Sequence, residues 1–96
     1  MLNVSNNSLT GSIQSQIGNL NNLKILDASN NNMTGVPAEI GQLQKLEILN
    51  LSNNNLTGLP NELVNLKNLK TLNLSGTHDL DIIRNGLPST TNIIID

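Results

Sequence analysis

Ninety-six residues carrying a net charge of −2, with no cysteine, Phe, Tyr or Trp, restrict the chain to one small domain whose core is filled by Leu, Ile and Val. The five cations, Lys24, Lys45, Lys67, Lys70 and Arg84, are scattered, and no aromatic is available to stack on a base, so a nucleic-acid partner is excluded. No apolar run nears the roughly 20 residues needed to cross a bilayer, which excludes membrane insertion.

Self-similarity governs the chain from its first residues. A partial unit, LNVSNNSLTGSIQSQIGNLNN, runs from Leu2 to Asn22. Two full units follow, LKILDASNNNMTGVPAEIGQLQK over 23–45 and LEILNLSNNNLTGLPNELVNLKN over 46–68. A fourth starts as LKTLNLSGT over 69–77 and then departs into HDLDIIRNGLP. Leu23, Leu46 and Leu69 are 23 residues apart, as are Leu20, Leu43 and Leu66, and Leu26, Leu49 and Leu72. Ala28, Leu51 and Leu74 keep the same step, as do Asn31 and Asn54.

This pattern resembles the leucine-rich-repeat family, whose signature is LxxLxLxxNxL followed by a variable half. The first unit is similar to the plant-type LTGxIP variant, with Gln14 in place of its Pro. The middle units are similar to a shorter, LP-containing type common in bacteria. The resemblance implies a right-handed α/β solenoid with a parallel sheet on its concave face. It divides a single domain, 1–96, into a partial repeat (1–22), repeats 23–45 and 46–68, a terminal repeat (69–77) and a helix-plus-strand cap (78–96). It also implies a bacterial secreted or cell-surface setting, although compartment and organism stay open.

Within each unit the LxxLxL run predicts a short strand, in which alternate side chains point to opposite faces. Leu26 with Ala28, Leu49 with Leu51, and Leu72 with Leu74 then point inward. Leu20, Leu43, Leu66 and Ile17, Ile40, Leu63 return from the outer half to meet them, each coil completing its neighbour's core. Asn7, Asn31 and Asn54 stand where the chain leaves the strand, and a stacked Asn ladder satisfies turn backbone groups in adjacent coils. Gly35 and Gly58 are expected at positive φ, and Pro37 and Pro60 at the start of the outer segment. In the cap, Leu80, Ile83 and Leu87 share one helical face, Gly86 and Pro88 end the helix, and Asn92 to Asp96 read as a last strand.

Catalysis finds no foothold, because the chain has one His, no Cys and no Gly-rich phosphate loop. His78 beside Asp79 and Asp81 reads as helix capping rather than a metal site, and no cofactor is expected. Six Asn-x-Ser/Thr sequons, at Asn3, Asn6, Asn32, Asn50, Asn55 and Asn73, follow from the repeat consensus.

The outward strand positions form the candidate site. They make ladders of Ile25, Ile48 and Thr71; of Asn3, Asp27, Asn50 and Asn73; of Ser5, Ser29, Ser52 and Ser75; and of Asn6, Asn30 and Asn53 ending at Gly76. Asn50 is expected to face solvent and to be dispensable for stability. The family resemblance implies a protein partner docked on these ladders. The alternative is surface recognition, such as ice binding, through the Asn, Ser and Thr side chains. Leu2 and Val4 start in mid-strand, so the first coil is expected to present an open edge, and a homodimer through it is possible.

Overall fold

Each repeat enters the structure as a short strand. The computed structural model describes residues 1–77 and 88–95. Numbered in chain order, β1 (Leu2–Asn3), β3 (Ile25–Asp27), β5 (Ile48–Asn50), β6 (Thr71–Asn73) and β7 (Asn92–Ile94) form one parallel sheet in that sequence. A parallel pair needs a long crossover between its strands, and the outer half of each repeat supplies it. The register puts Leu2, Leu26, Leu49, Leu72 and Ile93 in a single column. Beside it run Asn3, Asp27, Asn50, Asn73 and Ile94. The predicted last strand is therefore present but shorter, ending at Ile94. The predicted helix of the cap lies outside the described residues.

The inward columns are closed. Leu26, Ala28, Leu49, Leu51, Leu72 and Leu74 are buried, as are Leu43, Leu46, Leu66 and Leu69. The first coil is the exception. Leu9 and Leu20 are exposed there, and Leu2, Val4, Ile13 and Ile17 line an open cavity of about 320 Å³ at that end.

A second, two-stranded parallel sheet, β2 (Thr10–Ser12) with β4 (Asn32–Gly35), runs beside the first two turns. The outer half then closes in five-residue 3₁₀ turns: η1 (Ser15–Asn19), η2 (Ala38–Gln42) and η3 (Asn61–Asn65). Pro37 and Pro60 stand before η2 and η3, and their carbonyls accept from Ile40 N and Leu63 N at 3.1 Å.

Coil spacing accounts for this choice of turn. Strands sit about 4.8 Å apart, whereas a full α-helix with its side chains is roughly 10 Å across. Glycine helps the turns approach. A Cβ at Gly41 would lie 2.6 Å from the Glu62 backbone oxygen, and one at Gly18 would lie 2.5 Å from Gln42 Oε1. These two glycines are one repeat step apart, a signal that the sequence reading missed.

Candidate partner-binding face

Four columns cover the outer side of the sheet, and they are held differently. Ile25, Ile48 and Thr71 are paired in register across β3, β5 and β6. Ile25 and Thr71 are half-buried, while Ile48 is 37% exposed. Ile94, which the sequence put in the last strand but not on this face, is exposed in the next column, after Asn73.

The second column is occupied by its own hydrogen bonds. Asp27 Oδ1 accepts from Ser29 N at 3.1 Å and Ser29 Oγ at 2.7 Å. Asn50 Oδ1 repeats the pattern with Ser52 N at 3.1 Å and Ser52 Oγ at 2.7 Å. Asn73 does so with Ser75 N at 3.1 Å and Ser75 Oγ at 2.9 Å, and Asn3 with Ser5. A short polar side chain closing on the amide two residues ahead is an Asx turn, and it bends the chain off the strand. Two expectations are corrected by it. Ser29 and Ser52 are buried and Ser75 is half-buried, so the Ser column is not a free polar ladder. Asn50 is half-buried and turn-forming rather than a bystander.

Asn30 and Asn53, with Asn6, are exposed, but their backbone role dominates. Their φ angles are 57°, 55° and 58°, and Gly76 continues the column at 74°. Asn and Gly tolerate this left-handed region best, which explains why no other residue type occupies the column. Asn53 Nδ2 also donates to Asn30 Oδ1 at 2.9 Å. The positive φ expected at Gly35 and Gly58 is absent, because Gly35 ends β4 and the described glycines in that region are Gly11 and Gly76.

Behind the face, Asn31 and Asn54 are buried between coils. Asn31 Oδ1 accepts from Asn7 N and Leu9 N at 3.1 and 3.2 Å. Its amide donates to Val4 O of the preceding coil and to Ala28 O and Ser29 O of its own. Asn54 Oδ1 accepts from Met33 N at 3.1 Å, and its amide donates to Ala28, Leu51 and Ser52 carbonyls at 3.0–3.2 Å. Asn7 is exposed, and its side-chain amide donates only within its own coil, to Val4 and Ser5 carbonyls.

One feature of the face escaped the sequence reading altogether. Lys24, Glu47 and Lys70 immediately precede β3, β5 and β6, so the parallel sheet brings them to one edge. Lys70 Nζ lies 3.4 Å from Glu47 Oε1, and Lys45 and Lys67 stand in the turns leading to the same edge. Four of the five cations, scattered in the sequence, thus enter the fold together. In the first three coils the opposite edge, where residues 5–13, 29–37 and 52–60 leave the strands, carries no charged residue.

The family description of a leucine-rich repeat region matches residues 1–90. The chain belongs to the leucine-rich-repeat family. It is similar to a leucine-rich-repeat protein of Leptospira interrogans, at 41% identity and a TM-score of 0.84, over 93% of this chain and 23% of that one. It is also similar to a plant peptide hormone receptor, RGFR1, whose structure is a complex with RGF2. There the identity is 41% and the TM-score 0.74, over 82% of this chain and 13% of the receptor. A third similarity, to the BIR3–SERK2 complex from Arabidopsis thaliana, has 36% identity and a TM-score of 0.78, over 99% of this chain and 54% of that one. The repeats therefore span less than a quarter of the length of the first two proteins. No curated relative matches the chain.

Among the described residues no group of three His, Cys, Asp or Glu side chains could hold a metal ion, and no helix is long and apolar enough to cross a membrane. His78, Asp79 and Asp81 lie outside the described residues.

Proposed function

We propose that this chain is a non-catalytic recognition module that binds another protein across the concave face of its sheet. The observation that carries the reading is the in-register pair Ile25–Ile48, half-buried and exposed respectively, on a face whose other side chains, Ile94 apart, are small and polar. Apolar surface held toward water in register is what a partner removes from water. The plant relative in complex with a peptide supports the same class of ligand.

The ice-binding alternative draws no comparable support. Lattice matching needs a regular array of presented polar groups, whereas the Ser hydroxyls here are turned onto Asx oxygens. Thermal hysteresis measured on the purified protein separates the two, and none is expected.

Selection from a random displayed peptide library tests the main reading. Selected peptides are expected to lose about tenfold or more in affinity when Ile25 and Ile48 are both changed to Thr, the residue that the same column already accepts at Thr71. Gln42→Ala and Asn65→Ala, on the outer half, are expected to be silent. The reverse outcome moves the site off the sheet.

A further inference from the structure

We infer that the partner segment is an extended acidic peptide, with its apolar side chains on Ile25 and Ile48 and its carboxylates toward the lysine edge. The inference rests on the concave-face reading above and adds the chemistry of the ligand. Lys24 and Lys70 are the residues immediately before Ile25 and Thr71, so the charged edge borders the apolar column directly. Counting Lys24, Lys45, Lys67, Lys70 and Glu47, that edge carries +3, while the whole chain carries −2. The remainder of the sequence is therefore net acidic, and the exit edge of the first three coils gives a ligand carboxylate no competing cation. A segment lying across the face meets positive charge on one flank only, which sets its orientation as well as its composition.

The lysines can be engaged at low cost. In the Lys70–Glu47 pair the lysine is exposed and Glu47 half-buried, and surface pairs contribute about 0–1 kcal/mol. Lys45 Nζ donates to Asn22 Oδ1 at 2.9 Å, an exposed bond to a neutral acceptor that a ligand carboxylate replaces with an ion pair. Lys24 and Lys70 stand two coils apart, about 10 Å along the edge, roughly three residues of extended chain. Glu47 lies between them and disfavours an acid at the middle position. The expected ligand therefore carries two acids about three residues apart, with apolar residues beside them. A nucleic acid fits less well, because a phosphate at every step meets Glu47, the remaining surface is negative and no aromatic offers a stacking platform.

The same displayed library supplies the test. Selected peptides should be enriched in Asp and Glu at that spacing, and their binding should weaken with added salt. Lys24→Glu with Lys70→Glu should reduce affinity at least tenfold, and Lys24→Gln with Lys70→Gln less. Glu62→Lys, on the outer half, should not reduce it. Circular dichroism checks that each variant is folded. Neutral or basic peptides that still need the Ile pair and ignore the lysine changes overturn the acidic assignment and leave the concave-face reading standing. A library that yields no binder overturns both. A single-stranded oligo-dT that binds more tightly than the selected peptides, through the same lysines, overturns the peptide in favour of a nucleic acid.

Discussion

Removing the Asn54 carboxamide should destabilise the protein about as much as removing a core leucine. Asn54→Ala deletes one acceptor and both donors from a buried site between two coils. The Ala28 carbonyl keeps its bond from Asn31, and the Ser52 carbonyl keeps its bond from Asn30 N. Met33 N and the Leu51 carbonyl lose the partner that Asn54 provided. A buried polar group left unsatisfied costs about 1–3 kcal/mol, so two give roughly 2–6 kcal/mol. Water entering the vacated space recovers part of that, and about 3 kcal/mol is expected. Against a total stability of about 5–15 kcal/mol, this is a large fraction.

Urea titration followed by circular dichroism measures it, with the midpoint shifting at constant slope. Asn54→Asp should be at least as damaging, because a carboxylate accepts from Met33 N but donates to none of the three carbonyls around it. An Asn54→Ala variant within about 0.5 kcal/mol of the parent, the range of ordinary surface changes, would refute the reasoning.

Leu49→Ala should cost about 2–5 kcal/mol in the same titration, and Asn50→Ala about 1 kcal/mol for its lost bonds to Ser52; equal values would mean the strand phase is wrong. Gly41→Ala should destabilise by about 1–3 kcal/mol through its clash with the Glu62 carbonyl. Gly58→Ala, with nothing within 4 Å of the new Cβ and no positive φ, should be neutral or stabilise by about 0.4–1 kcal/mol in thermal melts. Leu9 and Leu56 share a repeat position but are 43% and 3% exposed, so Leu56→Ala should cost several times more than Leu9→Ala by chemical denaturation. A Leu9 penalty that matches Leu56 and grows with protein concentration would point to a second copy covering the first coil.

The strand phase was legible because two periods agree on it, alternation within each LxxLxL run and the 23-residue step between runs. Register followed without further information, since a slip of one residue would turn Leu26, Leu49 and Leu72 outward. Misreadings arose where a residue type serves two purposes. Asn30 and Asn53 in register look like a binding ladder and like left-handed turn residues equally well, and only Gly76 ending the column distinguishes the two. Thr-Gly at 34–35 and 57–58 carries an ordinary turn signal, yet the lateral strand absorbs Gly35 in extended form. Asp27, Asn50 and Asn73 alternate as outward residues should, but whether their oxygens face solvent or fold back depends on Ser29, Ser52 and Ser75 standing two places on. The lysine edge was present in the step of 23 all along. It becomes visible only when the step is applied to charges as well as to leucines.

Comparing equivalent positions across repeats shows where recognition has room to vary. Positions held by backbone demands scarcely change: Asn31 and Asn54 bridge coils, Ser29, Ser52 and Ser75 close Asx turns, and Asn30 and Asn53 take left-handed backbone. Asp27, Asn50 and Asn73 differ only between acid and amide, both of which offer the oxygen that the turn requires. The two columns free of such demands are Lys24, Glu47 and Lys70, and Ile25, Ile48 and Thr71. They are also the columns that differ most in charge and apolar character, and they lie side by side on the strand-entry edge. A coil whose interior and turns consume its Asn and Ser hydrogen bonds can change its ligand through these positions while its fold stays intact. In the proposed reading their present combination, positive charge beside branched apolar surface, specifies the partner, and the polar columns next to it set the shape on which that combination is displayed.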